Sequence, residues 1–168
     1  ATAPSWGSDM LMQATATQES IQNLLRDYCH ALDDGEVERW SSFFTADATY
    51  QITTRENVAN GYPLGIVLCE GKGMLDDRIR ALQTANIFES HTYCHITGPL
   101  DIRAELEDRW TVRSNFSVFR TMYTGQLELF ATGKYLDVVD TSGGQALFAE
   151  RIVVVDSRRI DTLLVYPL

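Results

Sequence analysis

The hydrophobic period of this chain shifts from helical to strand-like along its length, and that shift constrains the fold more than any motif. Ile21, Leu24, Leu25, Tyr28 and Leu32 fall at i, i+3, i+4, i+7 and i+11, one stripe of an amphipathic helix. Thr17 is suited to cap its start, and Asp34-Gly35 to stop it, because glycine enters the left-handed turn that closes a helix. A second short helix is expected with Val37, Trp40, Phe43 and Phe44 inward. From Thr49 to Thr54 the pattern alternates, which is strand behaviour. Residues 56–63 read as loop, and a third helix after Gly73 turns Met74, Leu75, Ile79 and Leu82 inward.

Beyond Glu89 the β-branched and aromatic segments near 91–97, 103–122, 126–140, 145–156 and 160–166 predict an antiparallel sheet. Thr124-Gly125 and Ser142-Gly143-Gly144 supply hairpin turns between the later ones. Leu127, Leu129 and Ala131 are expected on the buried face, with Gln126 and Glu128 opposite. Helices followed by a long curved sheet make an α+β layout in which the sheet must bury one face against the helices. With 168 residues the chain fits one such domain, expected over 18–168, behind a flexible arm at 1–17.

Composition narrows the partners. Fourteen basic against 23 acidic residues give a net charge of -9, which argues against nucleic acid or an anionic membrane, since both demand clustered positive charge. No apolar run approaches the ~20 residues that span a bilayer. Cys29, Cys69 and Cys94 are widely spaced, without a CxxC pair, and read as reduced cysteines of a cytoplasmic protein.

His91 and His95 would share a metal on a helix, but the surrounding residues make this a strand, where i and i+4 stand about 13 Å apart. With three histidines and only Cys94-His95 adjacent, neither the two Cys-x-His pairs of a Rieske cluster nor a 2-His-1-carboxylate iron site is present. Gly71-Lys72-Gly73 lacks the glycine pattern and the ending of a phosphate loop. A helix-backed cone can also be an enzyme in its own right, using carboxylate, tyrosine and histidine inside it. Tyr28, Asp47, Tyr50, His91 and His95 are the residues that would serve a free-standing dehydratase or isomerase, or a small-ligand-binding module.

The run Gly65-Ile-Val-Leu-Cys-Glu-Gly-Lys-Gly-Met-Leu-Asp-Asp-Arg-Ile-Arg-Ala-Leu-Gln-Thr-Ala-Asn-Ile-Phe-Glu89 resembles the central region of ring-hydroxylating dioxygenase small (β) subunits. Trp40-Ser-Ser-Phe43-Phe44 with Asp47-Ala-Thr-Tyr50, and the ending Arg159-Ile-Asp-Thr-Leu-Leu-Val-Tyr-Pro-Leu168, match the same family. Ala85-Asn86-Ile87, the 91–96 string and Ile160-Asp-Thr-Leu look most like the terephthalate-type branch, with salicylate and anthranilate hydroxylases as neighbours.

The resemblance implies a nuclear-transport-factor-2-like cone and a non-catalytic subunit. Three β chains would form a base beneath three large α subunits. The α subunit would hold the Rieske two-iron, two-sulfur cluster and a mononuclear Fe(II), with a reductase delivering electrons from NAD(P)H. This chain would hold no cofactor. The expected interface residues are Phe88, His91, Tyr93, Tyr166 and Leu168.

Overall fold

The computed structural model describes residues 6–63, 65–84, 90–106, 108–157 and 166–168, with side chains from residue 12 onward. Helix α1 spans Trp6–Asp33, so Thr17 lies inside it and not at its cap; its hydroxyl donates back to the Gln13 carbonyl at 3.0 Å. Among the described side chains the first buried one is Ile21, and from there Leu24, Leu25, Tyr28 and Leu32 form the buried stripe. Gly35 ends the helix at φ 74°, the left-handed conformation that costs glycine least.

A 3-10 helix, Val37–Phe43, carries Trp40 into the core. It leads into β1, Phe44–Thr54. Helix α2, Arg55–Ala59, stands where loop was expected; the Thr54 side chain caps it by accepting from the Asn57 amide. Strand β2, Val67–Glu70, and helix α3, Lys72–Thr84, follow. In α3, Leu75 and Ile79 are buried and Leu82 packs beside them. Met74 is instead exposed, and its sulfur accepts from the Glu70 amide.

The remaining strands are β3 His91–Thr97, β4 Asp101–Ala104, β5 Arg109–Met122, β6 Leu127–Asp140 and β7 Leu147–Val155. The sheet order is β2-β1-β7-β6-β5-β3, with β4 sharing the β5 edge with β3. One pairing corrects the antiparallel expectation: β1 runs parallel to β7, a pairing that needs a long crossover, supplied by everything between them. Of the strand expected at 160–166, residues 160–165 lie outside the described residues, as do Phe88 and the strings at 85–87 and 160–163. Tyr166 is in no strand.

The expected inward placement of Leu127 and Leu129 is also overturned: both are exposed. The register shifts at Val118/Phe119, where Phe130 is the extra residue on β6. A bulge of one residue exchanges the two faces of a strand. Tyr135, Asp137 and Val139 face the core on one side of it, while Glu128 faces inward with Arg120 on the other. The core therefore lies between the inner sheet face and α1, α3 and the 3-10 helix.

Candidate functional site

The inner face of the cone brings together most of the residues that a cone enzyme would use, and shows what they are committed to. Tyr28, from α1, and Tyr50, from β1, are both fully buried. The Trp40 indole N–H donates to the Tyr28 hydroxyl at 3.0 Å, and that hydroxyl donates to the Leu168 main-chain oxygen at 2.9 Å. The Tyr50 hydroxyl accepts from the Leu168 amide at 3.0 Å and donates to its oxygen at 3.2 Å. Both phenols are thus held by the Leu168 backbone, with the Leu168 side chain buried among the core. Burial pushes the Tyr50 hydroxyl up to about 12 and raises Tyr28 well above the usual phenol range, so both stay protonated as hydrogen-bonding groups.

Beside them lies a charge that the sequence reading did not single out. Arg151 on β7 is fully buried, with its guanidinium carbon 4.2 Å from the Tyr28 ring centroid, 3.8 Å from Tyr135 and 4.5 Å from Phe148. Its Nη1 donates to Asp137 at 3.1 Å. Asp137 sits directly across on β6. Burial works against the Arg151 charge, and the Asp137 carboxylate with the surrounding phenols outweighs it. Burial also pushes the Asp137 carboxyl up to about 7. The signal was present as two opposite charges at inward positions of neighbouring strands, legible once the hairpin register is counted.

His91, Tyr93 and His95 share the inner face of β3, opposite Met122, Arg120 and Val118. Tyr93 stacks on Phe130 at 5.3 Å and meets the rings of His91 and Tyr166 edge-on or tilted, at 5.0 and 5.9 Å. Tyr93 and Leu168 are buried, while His91 and Tyr166 are half-buried at the rim. His95 Nδ1 lies 2.5 Å from Asp33 at the end of α1, and its backbone amide donates to the same carboxylate. Asp47 is exposed and accepts from the Thr45 hydroxyl, apart from the cone interior.

The donor set does not fit an iron centre. Cys94 and His95 point to opposite faces of the sheet, and His95 Nδ1 is taken by Asp33. Among the described residues, no group of three or more His, Cys, Asp and Glu side chains is placed to hold a metal ion. No described helix is long and apolar enough to cross a membrane.

Residues 13–152 match the SnoaL-like domain family. Over 141 residues, 84% of this chain and 92% of the relative, it is 42% identical to the terephthalate 1,2-dioxygenase terminal oxygenase component subunit beta 1 of Comamonas sp.. The chain belongs to the SnoaL-like family, among its dioxygenase β subunits. The anthranilate 1,2-dioxygenase small subunit of Burkholderia cepacia is 40% identical over 159 residues, 94% of this chain and 98% of that one. A crystal structure ascribed to the β subunit of an aromatic-ring-hydroxylating dioxygenase from Novosphingobium aromaticivorans superposes with a TM-score of 0.85. It is 36% identical and covers 92% of this β subunit and 99% of that chain. The cone expected from the sequence is therefore the fold of this β subunit, which is part of a multi-subunit oxidoreductase.

Proposed function

We propose that this chain is the scaffolding β subunit of an oxygenase acting on an aromatic carboxylate, and that it contributes no catalytic side chain. The observation that carries the reading is likeness over 84% and 94% of the chain to β subunits of terephthalate and anthranilate dioxygenases. The interior agrees with it physically: Tyr28 and Tyr50 spend their hydroxyls on Leu168. The α subunit would hold the Rieske cluster and the mononuclear iron, three copies of each chain would assemble, and a reductase would supply electrons from NAD(P)H. Terephthalate is the expected substrate. Phe88, His91, Tyr93, Tyr166 and Leu168 are our candidates for the contact with partner subunits; of these, Phe88 lies outside the described residues, His91 and Tyr166 are half-buried, and Tyr93 packs behind them.

Co-expression with an α subunit from the adjacent reading frame tests this. The expected product is a brown complex containing iron and labile sulfide that oxygenates terephthalate in preference to anthranilate or salicylate. The β chain alone should be colourless and inactive. Turnover of an aromatic by the purified chain, lost on substituting His95 and Tyr50, would overturn the scaffold reading in favour of a cone enzyme built on the Asp33–His95 pair.

A further inference from the structure

Arg151 spends only part of its hydrogen-bonding capacity. A guanidinium carries its N–H donors in a fixed planar fork, and this one is fully buried. Nη1 donates to Asp137. The parallel N–H groups of Nε and Nη2, the edge that grips a pair of oxygen lone pairs in a bidentate contact, meet no acceptor among the described residues. The Tyr28, Tyr135 and Phe148 rings, at 4.2, 3.8 and 4.5 Å from the guanidinium carbon, attract its charge without supplying a lone pair. Three further atoms beside it are in the same position. Asp137 Oδ1, the Tyr135 hydroxyl and Ser114 Oγ are buried with no partner of hydrogen-bond geometry among the described residues. The Tyr135 hydroxyl lies close enough to Arg151 to feel its charge. Register gathers all of them on one inner patch: Arg151 faces Asp137, and Tyr135, two residues before Asp137 on β6, faces Ser114 on β5. A single buried polar atom without a partner is uncommon, and leaving it unmet is costly. Here five meet in one place.

We propose that this patch is a buried hydration site, in which ordered water seats against the Nε–Nη2 edge of Arg151 and joins it to Asp137 and Tyr135. The balance of donors and acceptors selects the ligand. The guanidinium edge can only donate, a carboxylate oxygen can only accept, and the two hydroxyls do either. A halide or a carboxylate would satisfy the edge and be repelled by Asp137. A metal cation would satisfy Asp137 and be repelled by Arg151. Water accepts from one and donates to the other, and it adds no charge where the protein's own two charges oppose each other. Interior waters typically make about three hydrogen bonds to groups of this kind. Ser114 extends the patch to β5, so the hydrated network spans the three central strands β5 to β7. The site is internal to this chain and stands whether or not the scaffold reading does.

A crystal structure of the full chain, grown with bromide at about pH 8 where Asp137 is ionised, tests this directly. The expected result is ordered water within hydrogen-bond reach of Arg151 Nε or Nη2 and of Asp137 Oδ1 or the Tyr135 hydroxyl. Anomalous bromide signal at that edge would overturn the proposal in favour of an anion site. An edge that meets no solvent at all would overturn it too. In solution, oxygen-17 relaxation dispersion should detect long-lived water in the parent chain, and the Arg151 Nε–H should show a magnetisation-transfer peak at the water frequency. Arg151→Lys keeps the charge and removes the fork, so it should lose that long-lived water. Where that variant does not fold, Tyr135→Phe serves: it keeps the fork and removes one partner, and should shorten the water's residence by about tenfold, the worth of one hydrogen bond. Absence of the Nε–H peak in the parent, or a residence time that neither variant changes, would place the water elsewhere and overturn the proposal.

Discussion

Arg151 Nη1 donates to Asp137 Oδ2 at 3.1 Å with both side chains sealed from solvent, at the middle of the sheet's inner face. The pair is directly cross-strand, so neither group can relax towards water without opening the β6–β7 ladder. Removing one partner strands the other as a buried charge, which costs about 3–5 kcal/mol, whereas replacing both by apolar residues is often neutral. Arg151→Leu is therefore expected to lower stability by about that amount in urea unfolding. Asp137→Leu combined with Arg151→Leu should recover most of it. Equal losses for the single and double variants would mean that the ring contacts of Arg151, not its charge partner, matter most.

Asp137 also makes stability depend on pH. Burial raises its carboxyl to about 7, against an ordinary value near 4. A raised folded-state value means that the folded chain binds a proton that the unfolded chain releases. Its stabilising contribution is fully present below about pH 4 and is lost as pH rises towards 7. Within that window this group alone should lower stability by up to about 1.4 kcal/mol per pH unit. Asp137→Asn should flatten the profile between pH 4 and 7. Urea midpoints at pH 5 and pH 7.5 for both proteins measure it, and an unchanged difference would show that other groups set the slope.

Tyr50 and Tyr28 separate scaffold from catalyst. Tyr50→Phe removes a hydroxyl that both accepts from and donates to Leu168, leaving a buried amide unpaired at a cost of about 1–3 kcal/mol. Tyr28→Phe strands the Trp40 indole similarly. Both variants are expected to unfold at lower urea concentration while the assembled oxygenase keeps its kcat within about twofold. Loss of a general acid or base would instead cost about 100-fold or more.

The fold was legible where one physical signal ruled. The α1 stripe from Ile21 to Leu32 follows from period alone, and the limits of β3 from its β-branched and aromatic content ahead of Gly98-Pro99. Leu127 and Leu129 were misplaced because the alternation breaks at Phe130, and a bulge leaves no mark on composition. The parallel β1–β7 pairing was hidden because nothing local distinguishes a strand's neighbours a hundred residues away. At the site, Tyr28 and Tyr50 were found as inward tyrosines, but that Leu168 occupies them is a tertiary fact. Asp33 did leave a trace: a carboxylate at a helix C-terminus opposes the dipole, so it calls for a partner elsewhere, which His95 supplies.

Gly133 is fixed by close approach. A Cβ there would overlap the Val154 carbonyl oxygen and press on the Phe116 ring at 3.0 Å. Both obstacles sit in packed structure, one of them backbone in the neighbouring strand. Gly133→Ala should therefore cost several kcal/mol, comparable with the upper range of overpacked cores, about 3 kcal/mol or more. A melting temperature unchanged from the parent would show that β6 can shift at this point.

The Asp33–His95 contact guards a sheet edge. Among the described residues β3 pairs with β5 on one side only, and a strand edge left open invites another chain to pair with it. Asp33 accepts from the His95 amide at 2.9 and 3.1 Å and holds its ring at 2.5 Å, so α1 caps the edge at its midpoint. A hydrogen bond to a charged acceptor contributes about 1.5–3 kcal/mol. Asp33→Ala should speed hydrogen exchange at the His95 amide by about 10- to 100-fold while amides in the central strand β6 keep their protection. It should also make the chain aggregate at concentrations where the parent stays dispersed. Asp33→Asn, which keeps an acceptor oxygen, should fall between the two. Exchange at His95 that is the same in all three would show that the strand, not the carboxylate, protects that amide.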